Sequence, residues 1–478
     1  MSNRYVQRRV AAWLAAAAFV PALQAQLIPA GSPIPKRDKP PVVFLNGYQQ
    51  DCGGSSFAGT FGKADAVLQT NGQAVVFFDN CGVANRPTLE DLGAAFGAFL
   101  DGLKFDDGTA VTTVDAVCHS MGGLILRSYL SGKKTAGGFA PPAAVRIRKA
   151  IFLATPHFGT PIASLLGIDA QVRQMATGTQ FLFDLATWNQ GTDDLRGVDV
   201  LAAIGNAGTG ATSGTAGFDD GVVPLTSGSL GFLAAGRTRV LPLCHIQFSG
   251  LFAVVCPASV NGIANIQAAT DPQAKLIVSF LNGTDDWRSV GVAAEDDPLL
   301  SKNGGLQLAV HAADDSALQL NSASAVIGSG TAVDLKFPDR TVAYNDKIPV
   351  GALSLTVNAG SSRLTGSYTL AKAAYSTLVF KTGPAIGRVY PAASVTFPLA
   401  VAPGQFVAIY GEALAGSTAT AASSNYPTQL ADAKVTVGGS SSPLYFVAPS
   451  QIDAIIPDET PTGLTQITVQ NTAGANTV

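Results

Sequence analysis

The stretch Val114-Asp115-Ala116-Val117-Cys118-His119-Ser120-Met121-Gly122-Gly123 decides the fold of this 478-residue chain. An apolar strand runs into a tight turn with Ser120 at its tip, and an apolar helix follows over residues 124–130. Such a turn lifts a serine hydroxyl clear of a sheet, and small neighbouring residues let the strand and the helix pass close together. The pattern therefore predicts a nucleophilic serine. The alternative interpretation is an ordinary strand-turn-helix connection with a surface serine.

Two segments downstream supply an acid and a base. The predicted strand 198–204 is followed by a loop that reaches Asp219 and Asp220, and the predicted strand 238–243 ends at His245. Where a serine sits on such a turn, the acid and then the histidine follow it along the chain, each on a loop after a strand. The order therefore predicts a triad of Ser120, His245 and Asp220, in which His245 lies between the serine and the acid, while Asp219 faces away.

The chemistry of nucleophilic attack explains these residue types. A serine hydroxyl is a weak nucleophile near neutral pH, so His245 has to take its proton and return it to the leaving group. Asp220 would orient the imidazole and stabilise its charged form. The chain has four histidines. We expect His119 beneath the turn, His157 in the core or cleft wall, and His311 in another domain.

Two backbone N–H groups are expected to stabilise the oxygen that becomes negatively charged during attack. Met121 directly follows the nucleophile at the start of its helix and supplies one of them. The predicted strand 41–45 breaks at Asn46-Gly47-Tyr48, which predicts Tyr48 as the second donor. A strand that merely ends in Asn-Gly is the alternative, but it does not account for this strand's place upstream of Ser120.

Parts of the chain resemble the α/β-hydrolase superfamily, and within it the bacterial triacylglycerol lipases and related esterases. The resemblance covers about residues 41–282 and implies an α/β fold with a mainly parallel sheet. It also implies the roles of nucleophile, acid and base for Ser120, Asp220 and His245. The segments that carry the resemblance most closely are residues 119–123, 151–160 and 220–224.

The chain departs from the family pattern at two positions. Cys118 stands where the family usually has Gly or Ala, and Asn46 stands where it usually has His. Neither change removes a group needed for the chemistry. The irregular, apolar segment 160–197 occupies the place of a lid or cap in lipases, and the alternative interpretation of that segment is a helix in the core.

The amino terminus has the composition of a secretory signal peptide. Arg4, Arg8 and Arg9 precede the apolar run 10–23, and residues 1–25 are predicted to be removed on export. The run is shorter than the roughly 20 residues of a spanning helix, which is the alternative. Losing three arginines and no acid shifts the net charge from −3 to −6. We expect the exported bacterial product to be secreted or periplasmic. Its negative net charge predicts no basic surface for nucleic acid. We also expect no transmembrane span in the mature chain.

Five cysteines in an exported chain favour disulfides. Cys52 and Cys81 each follow a predicted strand of the sheet, and Cys244 and Cys256 bracket the loop of the candidate base. We therefore predict both of these pairs, with Cys118 as a buried free thiol; the alternative is five reduced, buried cysteines. No Cys/His cluster has the spacing of zinc ligands, so neither a metal nor another cofactor is expected.

The character of the sequence changes after Trp287, where cysteine, methionine and tryptophan vanish and short β-like runs alternate with turn residues. This spacing predicts all-β sandwich domains, a β-rich one over 286–383 and another over 384–478. In the second, residues 401–411 and 443–452 resemble immunoglobulin-like TIG modules of exported bacterial proteins. We expect this module to lack one edge strand.

Two classes of function are consistent with these features. The first is a secreted carboxylic-ester hydrolase, a lipase or esterase, whose β domains attach to an insoluble substrate or to the cell envelope. A polyester depolymerase is the alternative among enzymes. The second class is a non-catalytic surface-interaction protein on a hydrolase scaffold, but a triad with every member in order favours the enzyme. We expect a separable catalytic domain over 26–285, unless the β region packs on it and stabilises it.

Overall fold

The computed structural model describes residues 27–167, 169–190, 194–247, 254–312, 315–328, 330–359, 362–392, 400–472 and 474–477. The predicted signal peptide, residues 1–25, lies outside these ranges. Within them, no helix combines the length and the apolar character needed to cross a membrane.

A seven-stranded sheet forms the centre of the amino-terminal half. Its strands are β1 (Val42–Leu45), β2 (Val75–Phe78), β3 (Val114–His119), β4 (Ile147–Leu153), β5 (Asp199–Gly205), β6 (Thr238–Leu241) and β7 (Val292–Ala293). They lie in the order β2-β1-β3-β4-β5-β6-β7, and every neighbouring pair is parallel except β6 and β7. Val, Ile, Leu and Phe fill these strands because a parallel sheet is buried on both faces.

Helices cover both faces of this sheet. They are α1 (Phe57–Phe61), α2 (Ala64–Thr70), α3 (Leu89–Gly102), α4 (Met121–Ser131), α5 (Pro161–Leu166), α6 (Ala170–Gln174), α7 (Gln180–Thr187), α8 (Leu225–Gly228) and α9 (Pro272–Asn282). On β1, Val43 and Leu45 pack in one cluster with α3, α4 and α7. Val42 and Phe44 pack with α1, α2 and α9 on the other face. This alternation follows the two-residue period of a strand and confirms the α/β class.

The segment 160–197 contains α5, α6 and α7. Phe181, Leu182 and Leu185 of α7 are buried in the same cluster as α3 and α4, and Phe183 is buried in a separate cluster. Helix α7 is therefore a core helix, the alternative left open by the sequence. A covering role for α5 and α6 stays a prediction.

The central sheet extends past residue 285, where we expected the catalytic domain to end. Strand β7 pairs with β6 through Ala293 opposite Arg239 and Val292 opposite Val240. Farther along, Leu300 is buried in a cluster with residues of β5 and β6. A two-residue edge strand is too short to produce a detectable alternation of apolar and polar residues, so sequence analysis missed it.

A β sandwich follows, which we call the first β unit (residues 303–381). Its strands are β8 (Asn303–His311), β9 (Leu320–Ile327), β10 (Thr331–Asp334), β11 (Val342–Pro349), β12 (Gly351–Ala359), β13 (Ser362–Leu370) and β14 (Tyr375–Lys381). One sheet has the order β10-β9-β12-β13 and the other β11-β8-β14. Apolar residues of both sheets, among them Leu306, Leu308, Leu353 and Leu355, form one buried cluster.

A further β sandwich forms the second β unit (residues 385–477). Its strands are β15 (Ala385–Pro391), β16 (Phe406–Glu412), β17 (Ala419–Thr420), β18 (Gln429–Leu430), β19 (Ala433–Val437), β20 (Ser440–Ser441), β21 (Leu444–Ala448), β22 (Gln451–Ile455), β23 (Ile467–Asn471) and β24 (Gly474–Thr477). The sheet β15-β16-β22-β21-β17 faces the sheet β18-β19-β23-β24, in which β20 also pairs with β19. Both sheets contribute to one core. The TIG-like assignment stays a prediction.

Candidate active site

The turn between β3 and α4 places Ser120 at the amino end of the helix. Its backbone has φ 52° and ψ −125°, a conformation that is strained for a residue other than glycine. A Cβ atom on Gly122 would lie 2.4 Å from the carbonyl oxygen of Leu45, and one on Gly123 would lie 2.1 Å from Thr155 Oγ1. Only glycine lets the helix approach the strands this closely. The turn has the geometry of a nucleophile elbow.

Cys118 lies in the core beneath this turn. The parallel register places it between Leu45 of β1 and Phe152 of β4, and it is completely buried. Burial raises the pKa of its thiol far above the ordinary value, so the side chain acts as a small neutral apolar group. Packing therefore accommodates cysteine where the family usually has Gly or Ala.

Three side chains meet above the elbow in one hydrogen-bonded chain. Ser120 Oγ lies 2.8 Å from His245 Nε2, and His245 Nδ1 lies 2.8 Å from Asp220 Oδ2. Asp220 follows β5, and His245 follows β6. All three residues are more than nine-tenths buried. The structure thus brings together the serine, histidine and aspartate that the sequence singles out.

The two adjacent aspartates have different surroundings. Asp220 Oδ1 accepts the N–H groups of Val222 at 3.0 Å and Val223 at 2.7 Å, which leaves Oδ2 to the imidazole. Asp219 instead accepts from the N–H groups of Ser213 and Gly221, both at 2.9 Å. Asp219 therefore holds the loop before Asp220, and of the two aspartates only Asp220 contacts His245.

His119 supports His245 from below, as its place beneath the turn predicts. Its Nε2 lies 3.1 Å from the carbonyl oxygen of His245, and the two ring centroids are 4.9 Å apart. Burial, with a smaller contribution from the neighbouring His245 imidazole, lowers the pKa of His119 to about 3. His119 is therefore neutral near pH 7, and its Nε2–H donates to the His245 carbonyl.

The loop after β1 passes directly beside Ser120. A Cβ on Gly47 would lie 2.8 Å from Ser120 Cβ, so only glycine fits there. Asn80 Nδ2 donates to the Gly47 carbonyl oxygen at 3.0 Å. Because the peptide group is planar and trans, the Tyr48 N–H of that same group points away from Asn80. Among backbone hydrogen bonds of the described residues outside helices and strands, neither Tyr48 nor Met121 uses its N–H as a donor.

Asn46, at the position where the resembling family usually has histidine, is buried and connects two loops. Its side-chain Nδ2 lies 3.2 Å from Ser55 Oγ and 3.5 Å from Asp79 Oδ1. Its Oδ1 accepts the N–H of Asn80 at 3.4 Å. Asn46 therefore ties the loop after β1 to the turn after β2.

Both disulfides expected from the sequence are present. One joins Cys52 to Cys81, linking the loop after β1 to the turn after β2. The other joins Cys244 to Cys256 and closes the loop that begins with the histidine. Cys118 is free and buried. Each bridge thus restrains a segment that carries part of the site.

The tyrosine of the loop after β1 also makes a side-chain contact that no motif indicated. Its hydroxyl lies 2.9 Å from Asp169 Oδ2 and 3.0 Å from Arg86 Nη1. Burial raises the pKa of Tyr48, and the neighbouring Asp169 carboxylate raises it further. The phenol is therefore a neutral donor. Neither Arg86 nor Asp169 belongs to a recognisable pattern, so sequence analysis did not single them out.

The remaining histidines lie apart from the hydrogen-bonded chain. His157 is fully buried against Phe152 and Phe232, and burial lowers its pKa well below the ordinary value. His311 ends β8 in the first β unit. In the part of the chain that the structure describes, no group of three or more His, Cys, Asp or Glu residues could hold a metal ion.

Several solved structures match this chain. Phospholipase PlaB from Legionella pneumophila matches with a TM-score of 0.53 and 14% identity, covering 72% of this chain and 93% of that one. The same enzyme in complex with thio-NAD gives a TM-score of 0.52 at 14% identity, with coverages of 71% and 93%. Lipase BlEst2 from Bacillus licheniformis in its propeptide form covers 94% of this chain and 95% of that one, at 14% identity and a TM-score of 0.37.

No protein-family model matches the chain, and no curated protein matches its sequence. At this level of identity the likeness to PlaB concerns the fold. The protein has the fold of the α/β hydrolases, followed by mainly antiparallel β sheets.

Proposed function

We propose that this protein is a secreted serine carboxylic-ester hydrolase. The observation that carries the proposal is the buried chain from Ser120 Oγ through His245 to Asp220, with both contacts at 2.8 Å. A strained elbow beneath the serine and a glycine loop beside it add support. A scaffold that had lost catalysis would have no reason to keep these contacts, which argues against the non-catalytic alternative.

In the proposed mechanism, Ser120 Oγ attacks the ester carbonyl carbon while His245 Nε2 accepts its proton. Asp220 accepts from Nδ1–H, fixes the tautomer and stabilises the imidazolium that forms. The N–H groups of Tyr48 and Met121 donate to the carbonyl oxygen as it becomes negative. The imidazolium then protonates the departing alkoxide, and a water molecule activated by the same imidazole releases the acid from the acyl-serine.

The proposed substrates are lipid esters or other carboxylic esters. The shared fold with a protein described as a phospholipase supports a lipid ester, and export supports a substrate outside the cytoplasm. The two disulfides support export because such bonds persist in oxidising compartments. We further propose that the second β unit attaches the enzyme to a surface or to an insoluble substrate.

The proposal is tested with p-nitrophenyl esters of graded acyl length on the full chain and on Ser120→Ala. Loss of a triad nucleophile typically costs about a million-fold in turnover. We expect the variant to fold and to lose nearly all activity. Comparable rates for both proteins would refute the assignment.

The two adjacent aspartates offer a matched control for the acid. Asp220→Asn removes the acceptor that fixes the imidazole tautomer, and such a change costs about 10⁴-fold in kcat in a comparable triad. Asp219→Asn alters only the loop before it, so its kcat should stay within about tenfold of the wild type. Equal losses in both variants would show that the acid has been misassigned.

A further inference from the structure

Tyr48, Arg86 and Asp169 form a compact cluster at the edge of the site, which we call the Tyr48 clamp. The Tyr48 hydroxyl donates to Asp169 Oδ2 at 2.9 Å and accepts from Arg86 Nη1 at 3.0 Å. Arg86 Nη1 also donates to the same carboxylate oxygen at 2.9 Å. Each member therefore contacts the other two, and the position of the phenol is fixed from two sides.

The clamp joins three segments that are distant in sequence. Tyr48 lies in the loop after β1, Arg86 in the turn after β2, and Asp169 at the start of α6. Arg86 Nη2 also donates to the carbonyl oxygen of Gln50, two residues beyond the tyrosine. The loop after β1 is thus held through a side chain and through its backbone.

The arginine is presented by an unusual backbone conformation. Asn85 and Arg86 have φ angles of 67° and 44°, values that residues with a side chain adopt only at an energetic cost. Such strain persists where the surroundings favour it. Here the guanidinium reaches a carboxylate, a phenol and a backbone carbonyl.

Asp169 has two separable contacts. Its Oδ1 accepts the N–H of Val172 at 2.9 Å and caps α6, whereas its Oδ2 receives the clamp. A short side chain such as serine can replace the cap, but it cannot reach Tyr48. The capping and clamping contributions of this residue can therefore be distinguished by substitution.

The clamp holds the peptide group between Gly47 and Tyr48, whose N–H is a proposed oxyanion donor. The Gly47 carbonyl is held by Asn80 at 3.0 Å, and the Tyr48 N–H belongs to the same planar group. That N–H can stabilise an oxyanion only if the loop stays in register with Ser120. Misplacing a reacting group by about 1 Å can cost about a hundredfold in rate.

We propose that Asp169 and Arg86 are positioning residues that hold the Tyr48 peptide in place for oxyanion stabilisation, which links α6 to turnover. This inference rests on the proposed esterase function. Because an oxyanion donor acts mainly in the transition state, loosening it lowers kcat more than it changes KM.

The test compares Asp169→Ser with Asp169→Asn on p-nitrophenyl butyrate. Asp169→Ser keeps the cap of α6 and loses the clamp; we expect kcat to fall about ten- to a hundredfold with KM within about twofold. Asp169→Asn keeps the cap through its one amide oxygen but turns an NH2 donor toward the Arg86 guanidinium and the Tyr48 hydroxyl, so its kcat should fall to a similar degree. Asp107→Ser removes another carboxylate that pairs with a cation, the exposed Lys36, and should leave kcat unchanged.

Two further measurements separate positioning from a general structural role. Tyr48→Phe should lower kcat to a similar degree, and its double variant with Asp169→Ser should lose no more than the worse single variant. Inactivation by a p-nitrophenyl phosphonate, which also places a negative oxygen in the oxyanion site, should slow in parallel with kcat, while the melting temperature changes little.

The outcomes are distinguishable. If the wild type is active and the turnover of Asp169→Ser is unaffected, the positioning role is overturned and the esterase proposal stays intact. The same holds if the loss of turnover in Asp169→Ser follows the melting temperature alone. A wild type that neither hydrolyses p-nitrophenyl esters nor reacts with the phosphonate would overturn both.

Discussion

The two β units relate to the catalytic domain in opposite ways. Both units have a core of their own, but side chains of the first β unit are also buried in clusters with residues of the catalytic domain. Among the described residues, the buried cluster of the second β unit holds only residues between positions 386 and 469. Both had the same appearance in the sequence, as short β runs between turn residues. The difference separates a β unit that packs into the amino-terminal α/β domain from one that packs on itself.

Tyr375 is the clearest member of the interface between the first β unit and the catalytic domain. It is 2% exposed, and its ring stacks on Phe158 with the centroids 4.3 Å apart and the planes 6° apart. Nearby, Phe183 of α7 is buried with Ala309 and Val342 of the first β unit. Such a contact resembles a domain core more than a loose interface between mobile domains.

Hydrogen bonds extend this interface to the loop that carries the acid. Thr226 Oγ1 donates to the Asp346 carbonyl oxygen at 2.6 Å, and Ser229 Oγ donates to the Ala373 carbonyl oxygen at 2.6 Å. Thr226 lies in α8, a few residues after Asp220. The first β unit therefore supports the segment that follows Asp220. This favours the alternative in which the β region stabilises the catalytic domain.

Truncation should reveal the largest difference between the two β units in folding and activity. A chain of residues 26–285 lacks β7 and the whole first β unit, so we expect it to lose cooperative unfolding and activity. A chain of residues 26–383 keeps that interface and should hydrolyse soluble esters at nearly the full-length rate. Thermal melting by circular dichroism and p-nitrophenyl butyrate hydrolysis measure both effects.

The comparison fails if the shorter chain, 26–285, is fully active. In that case the buried interface would be dispensable and both β units would be attachments. If the second β unit serves attachment, the chain 26–383 should also bind less to an emulsified or particulate ester while keeping its rate on the soluble one.

A pair of tyrosine substitutions sharpens the comparison residue by residue. Tyr375→Ala removes a buried aromatic ring and should lower the free energy of unfolding by about 3–5 kcal/mol. Tyr445→Ala removes a ring of the second β unit that is 43% exposed, and the free energy should change by only about 0.5 kcal/mol. Equal losses in denaturant titrations of the two variants would contradict the difference between the units.

The smallest expected effect concerns Asp346, whose Oδ1 accepts the Tyr375 hydroxyl at 3.1 Å. The residue keeps some exposed surface, but burial of its carboxyl group raises the pKa to about 7. An acid whose pKa is raised on folding adds stability at low pH and loses it as the pH rises through about 7. Asp346→Asn keeps the acceptor without the charge.

We therefore expect the melting temperature of Asp346→Asn, relative to that of the wild type, to rise by a few degrees between pH 5 and pH 8. Asp315→Asn is a suitable control because its carboxylate forms an exposed ion pair with Lys381. A constant difference across this pH range would show that the Asp346 carboxyl group is not held in its neutral form.

The sequence predicted the central sheet and the members of the hydrogen-bonded chain because their signals are local. The turn at Ser120 needs small residues within a few positions of it, and each partner follows an apolar strand. The two disulfides could be predicted as well. Strand order brings the loops of Cys52 and Cys81 to one edge of the sheet. Their pairing required only the topology of the parallel sheet.

The contacts that the sequence did not predict join residues far apart along the chain. The stacking of Tyr375 on Phe158 and the clamp between Tyr48 and Asp169 depend on how whole elements pack. No local pattern records such packing, because an aromatic residue at the end of a strand has the same appearance whether it faces solvent or another domain. Strand β7 was not predicted because it has only two residues.

Phosphonate labelling tests the central claim, that Ser120 is the nucleophile, most directly. The full chain is treated with a p-nitrophenyl alkylphosphonate, and the adduct is counted by intact mass and mapped by peptide mass spectrometry. We predict one adduct per chain, on Ser120, in the wild type and in Asp219→Asn, with no adduct in Ser120→Ala. An adduct on another residue, or ester hydrolysis that persists in Ser120→Ala, would contradict the account.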